Sequence, residues 1–167
     1  LSIFSVMGTA STIMTVTSES PDSVTINDYL GREVTIKQPV EKIVILDAHQ
    51  QLTSALQAMG LYDKIVGIDT DTAKEKVLFP DIDNKTIVGT KKELDIEQIL
   101  QLHPDVVFDV GTYPGDEIKK IEAAGLNVVS ISLFPTPDLG FKPTIENTRI
   151  LGSIVGAREK ADEFADW

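Results

Sequence analysis

The sequence predicts an α/β fold: a doubly wound, mainly parallel sheet with helices on both faces, preceded by a β-hairpin. Three observations carry this expectation. Apolar runs rich in β-branched residues recur as IVIL (43–46), IVGI (65–68), VVFDV (106–110) and VVSIS (128–132), and their lack of apolar-polar alternation marks strands buried on both faces. Segments with helical periodicity separate them. The 167 residues, 42% hydrophobic and 25% charged, suffice for one globular core.

Residues 1–16, LSIFSVMGTASTIMTV, are apolar or small and pass into the polar TSESPDS. They read as the back half of a secretory signal with its linker, residues 1–23, and are short for a bilayer span, which needs about 20 apolar residues. VTINDYLGREVTI alternates about Leu30-Gly31 and predicts the hairpin, which Pro39 ends. IVIL leads into a helix near 50–59, and IVGI into a crossover without clear pattern. A short strand, IVG at 87–89, precedes LDIEQILQL, in which Ile96, Ile99, Leu100 and Leu102 share a helix face. VVFDV leads into DEIKKIEAAG, and VVSIS into a helix from about 143. Gly60 and Gly125 stand where helix C-caps are expected.

In sheets of this kind, ligands lie beyond the carboxyl ends of the strands, where loops carry polar groups and helix N-termini converge. The loops after the predicted strands supply Asp47, His49 and Gln51, then Thr90 and Lys91 beside Lys92, then Thr112 and Tyr113, and finally Phe134. These are the candidate ligand contacts. Asp47 is equally suited to capping the helix that follows it.

Composition narrows the chemistry. A net charge of −11 repels nucleic acid and anionic membrane surfaces. No cysteine is present and only two histidines are, so thiolate and histidine-rich metal sites are excluded. No GxGxxG follows the first strand of the sheet, and GxxxxGK[ST], GxSxG and HExxH do not occur. The chain is therefore read as a non-enzyme with no catalytic residue, resident metal or cofactor. The rival reading is a metal-dependent hydrolase of doubly wound topology using Asp47, Asp69 and Asp71. His103, in LHPDVV, is read as an ordinary helix-terminal residue.

The succession TINDYLGREVTI, PVEKIVIL, ALQAMGLYDKIVGID, LDIEQILQLHPDVVF and LGSIVGAREKADEF resembles the substrate-binding proteins of ABC importers for ferric siderophores, haem and cobalamin. The likeness spans about residues 24–167, and its most specific parts are the DxLGREV hairpin and the helix-LxPDVV-strand segment. It implies two α/β lobes joined by a long helix, with the ligand held between them. Residues 24–155 would be the amino-terminal lobe and 156–167 the start of the interlobe helix, inside which the chain stops. Such a lobe would expose Phe164 and Trp167 and so favour self-association. By motif position Glu97 would be the carboxylate that docks on the permease.

The resemblance also implies an extracytoplasmic, membrane-associated receptor that captures a small-molecule metal chelate and hands it over. A ferric siderophore-like ligand is favoured, with Lys91 facing its anionic groups. Cobalamin is disfavoured because Lys91 and Val110 stand where aromatic platforms are expected; haem would need an axial donor from Tyr113 or His49. A sensor domain of a membrane receptor is a further reading of the same fold.

Overall fold

The computed structural model describes residues 13–166; the expectations for residues 1–12 and for Trp167 lie outside the described residues. The chain opens with β1 (Thr15–Ser20), β2 (Ser23–Asn27) and β3 (Glu33–Lys37), which pair antiparallel in the order β1-β2-β3. Strand β1 lies where the sequence suggests a linker, so the hairpin sheet has three strands and starts before residue 24. The reason is visible in TVTSES: only Val16 among its side chains is even half-buried, so its place in the sheet leaves no apolar alternation to read.

Next come β4 (Ile43–Leu46), α1 (Gln51–Ala58), β5 (Ile65–Ile68) and β6 (Thr86–Ile87). A small hairpin, β7 (Gly89–Thr90) and β8 (Glu93–Leu94), leads into α2 (Ile96–Leu102). The chain continues through β9 (Val106–Asp109), α3 (Gly115–Ala123), β10 (Val128–Ser130), α4 (Lys142–Ile154) and α5 (Arg158–Asp166). The main sheet has five parallel strands in the order β10-β9-β4-β5-β6, with β4 at its centre. This is the predicted α/β architecture. Gly60 and Gly125, with φ of 70° and 86°, follow the ends of α1 and α3 as expected.

Alternate strand residues feed two cores. Ile43, Ile45, Phe108 and Val129 pack with Leu52 and Leu56 of α1, Ile26 and Ile36 of the antiparallel sheet, and Leu151 and Ile154 of α4. Val44, Leu46, Val107 and Val128 pack on the other face with Ile99 of α2 and Ile118 and Ile121 of α3. Each such side chain contributes about 1.5–3 kcal/mol on burial. In α2 the expected face holds for Ile96, Ile99 and Leu102, whereas Leu100 is 37% exposed.

Asp28 explains the DYLGR turn. Its Oδ1 accepts from the amides of Leu30 (3.0 Å) and Arg32 (2.9 Å). Its Oδ2 accepts from Arg32 Nε (3.0 Å) and Nη2 (2.6 Å) and from the Ser130 amide (3.0 Å). Tyr29 N also donates to Ser130 O at 2.9 Å, so the turn covers the outer edge of β10. At the other end of the chain, α5 folds back on α4: a Cβ on Gly152 would collide with the Ala161 methyl. Arg149 joins the two helices through Asp162 (3.4 Å) and Asp166 (2.5 Å), and is held on its own helix by Glu146 (3.2 Å).

Candidate functional site

Strands β4 and β5 are each followed at once by an aspartate, Asp47 and Asp69, and β9 ends on Asp109; all three are buried. After β4, Asp47 Oδ2 accepts from Thr53 N (2.9 Å) and Thr53 Oγ1 (3.1 Å). It thus serves the third amide of α1 without being the N-cap residue; that position is held by Gln50, at φ 58°, with no side-chain cap bond. The sequence places Asp47 at the cleft, but the structure leaves it 0% exposed, with Oδ2 bonded to the helix start and Oδ1 buried without a hydrogen-bond partner among the described residues. Burial raises its pKa, against the lowering effect of the Thr53 bonds. The tight turn through Gln50 leaves His49 exposed, its ring edge-on to Phe134 with centroids 5.7 Å apart.

After β5, Asp69 is a junction. Its Oδ1 accepts from the amides of Asp71 (2.8 Å) and Thr72 (3.0 Å), and its Oδ2 from the Asp47 amide (2.8 Å) and Thr72 Oγ1 (2.9 Å). One buried carboxylate therefore ties the loop after β4 to the loop after β5. Thr70, through both N (2.9 Å) and Oγ1 (2.8 Å), holds the carbonyl of Gly89 and so fixes the base of the β7-β8 hairpin. Gly89 sits at φ 118°, and a Cβ there would meet Glu93 O at 2.5 Å, so only glycine closes this hairpin. Lys91 and Lys92 form its tip, and Thr90 is exposed beside them with its Oγ1 accepting from Lys92 N at 3.3 Å. Asp71 is held below the usual carboxylate range by Lys74, 2.7 Å away, and more weakly by Lys91.

After β9, Asp109 Oδ2 accepts from Ser130 Oγ at 3.3 Å, and burial raises its pKa. Tyr113 is not presented at the rim as expected: it is 7% exposed and packs in the α2-α3 core with Leu46 and Leu94. Burial first, and then the carboxylates of Asp69, Asp71, Asp109 and Asp47, hold its phenol protonated, which counts against it as a phenolate donor to iron. Thr112 is half-buried nearby. After β10, Phe134 is 38% exposed against His49.

The structure thus brings His49 and Phe134 into contact and sets Thr90 and Lys91 on a hairpin anchored beside the β5 loop. It withdraws Asp47 and Tyr113 into the protein. Gln51 is the first residue of α1 and lines, with His49, Leu78, Leu133, Thr144 and Phe164, an open pocket of about 320 Å³. None of those last four carries a local motif, so sequence reasoning had no handle on them as a group. Glu97 is exposed in the first turn of α2, on a recess shared with Thr90 and Glu93. His103 ends α2 in a left-handed conformation, φ 50°, as its helix-terminal reading implies. Asp47 and Asp69 are turned onto protein amides, and among the described residues no three His, Cys, Asp or Glu side chains are grouped to hold a metal.

A parallel sheet with its loops gathered at the carboxyl edge is the architecture of a single α/β lobe. The family model for periplasmic binding protein matches residues 43–166, and the chain belongs to that family, whose members bind solutes for ABC importers. The molybdate-binding protein MolA of Haemophilus influenzae is 34% identical over 128 residues, which are 74% of this chain and 36% of that protein. Its molybdate-bound structure superposes with a TM-score of 0.74 at 25% identity, covering 85% of this chain and 49% of that one. The iron-uptake system-binding protein of Bacillus subtilis is 26% identical over 142 residues, 84% of this chain and 42% of that protein. A structure of the heme binding protein HmuT gives a TM-score of 0.69 at 26% identity, covering 99% of this chain and 50% of that one. The chain therefore spans half or less of the proteins it matches.

Proposed function

We propose that this chain is the amino-terminal lobe of an extracytoplasmic solute receptor. It captures a ferric chelate and delivers it to an ABC importer permease without making or breaking a bond in the cargo. The observation that carries this reading is the gathering of an aromatic pair, His49 and Phe134, and a lysine-tipped hairpin at the carboxyl edge of one parallel sheet. In this reading His49, Gln51, Thr90, Lys91, Thr112 and Phe134 contact ligand, while Asp47 and Tyr113 shape the loops behind them. The lobe runs to about residue 155 and α5 begins the interlobe helix. Glu97 docks on the permease, its exposure and lack of an ion pair among the described residues leaving it available.

The iron-uptake relative supports iron as the cargo metal. A second reading, capture of a bare oxyanion, is favoured by the 34% identity to the molybdate-binding protein. Titration of the intact protein with ferric siderophores and with molybdate, followed by intrinsic fluorescence, separates the two. Saturable quenching by ferric chelates is expected. Tight molybdate binding with no response to any ferric chelate would replace the iron reading.

A further inference from the structure

Resting on the proposed function, in which Lys91 meets an anionic cargo, we propose that Glu117 of α3 is the positioning residue that aims the Lys91 hairpin. Hairpin β7-β8 pairs Gly89 with Leu94 and Thr90 with Glu93, leaving Lys91-Lys92 as a two-residue tip. One pair further from the tip, Asp95 N donates to Val88 O at 2.9 Å. Polar groups along an antiparallel ladder alternate between facing the partner strand and facing away from it. The Gly89-Leu94 pair therefore turns its N–H and C=O groups outward. So short a ribbon does not hold its own direction, and whatever takes those outward groups sets it.

Two different elements take them. On the β7 side, Gly89 O accepts from Thr70 N (2.9 Å) and Thr70 Oγ1 (2.8 Å) in the loop after β5. On the β8 side, the amide of the buried Leu94 donates to Glu117 Oε2 at 3.1 Å. Glu117 is itself 7% exposed, and its Oε1 is held by Lys120 at 2.5 Å. Its place in the chain explains why it is available. It is the third residue of α3, from which a glutamate commonly reaches back to the N-cap amide, but the N-cap here is Pro114, which has no N–H. The carboxylate leaves its own helix and grips a strand 23 residues earlier. With β7 tied to the β5 loop and β8 tied to α3, the tip swings only by breaking a buried hydrogen bond.

The test joins amide hydrogen exchange on the full chain to a double-mutant cycle on cargo binding, read with a ferric tricatecholate and with molybdate. Glu117→Ala is expected to speed exchange at Leu94 roughly tenfold or more, while Val44 and Val107 of the central strands keep their rates. It should weaken cargo binding about three- to tenfold, and Glu117→Gln, which keeps an acceptor for the Leu94 amide, should bring affinity back to within about twofold of wild type. In a Lys91→Ala background, Glu117→Ala should weaken binding by less than about twofold, since it acts through Lys91. Glu117→Asp, shorter by one methylene, repeats the comparison with the charge kept should Glu117→Ala fold poorly. Unchanged exchange at Leu94, or affinity losses that add in the double variant, overturns the proposal. A wild type that binds molybdate but no ferric chelate overturns the ferric reading alone, and the molybdate cycle then judges Glu117. Binding of neither overturns both.

Discussion

At the scale of single residues, the strand-end aspartates decide how the loops are built. Asp69 accepts four hydrogen bonds, one of them from the Asp47 amide. Removing it strands several buried donors at once. Asp69→Ala is expected to lower unfolding free energy by about 2–4 kcal/mol in urea titrations, and Asp69→Asn by less, since one of its two acceptors survives. Asp47 behaves differently. Its folded-state pKa is raised by burial, so the folded protein holds this proton more firmly than the unfolded chain, and the stability this contributes is present at low pH and lost as pH rises above the unfolded value. Asp47→Asn should therefore be as stable as the wild type or more so at pH 7, with a flatter stability profile above pH 4 in thermal melts. The sequence marks Asp47 correctly as a polar residue at a strand end but not the direction it faces, because capping and ligand contact ask for the same residue type.

At the scale of elements, the main strands were readable because full burial on both faces leaves continuous apolar runs. Helix α3 was readable because Ile118 and Ile121 return at helical spacing. Strand β1 was not readable, since five of its six side chains are exposed, and the β7-β8 hairpin was not, since its pairing spans only Gly89–Leu94. The site shows the same division: His49, Phe134 and the lysine pair are legible as strand-end residues, whereas the open pocket lined by Thr144 and Phe164 is assembled by the crossing of helices remote in sequence. The contact between the consecutive helices α4 and α5, one side of that pocket, is sharply defined. Gly152→Val should destabilise by about 1–3 kcal/mol or more through overpacking against Ala161, measured as a lower urea midpoint with unchanged slope.

At the scale of the whole molecule, the sheet is held from both faces, and the proposed docking carboxylate shares a recess with a proposed ligand contact. Two apolar clusters sandwich the sheet, the Asp28 clasp seals one edge, and Glu97 stands on α2 beside Thr90. Glu97→Arg is expected to leave chelate affinity within twofold while reducing stimulation of the permease ATPase at least tenfold, consistent with reversal of a docking charge; an unchanged ATPase response would remove Glu97 from the docking surface. The β7-β8 hairpin is held at its root, by Thr70 on the Gly89 carbonyl, while the Lys91-Lys92 tip is free of the core. On the proposed reading, in which Lys91 meets the cargo, exchanging that one letter at a tethered fingertip retunes capture while the rest of the architecture stands.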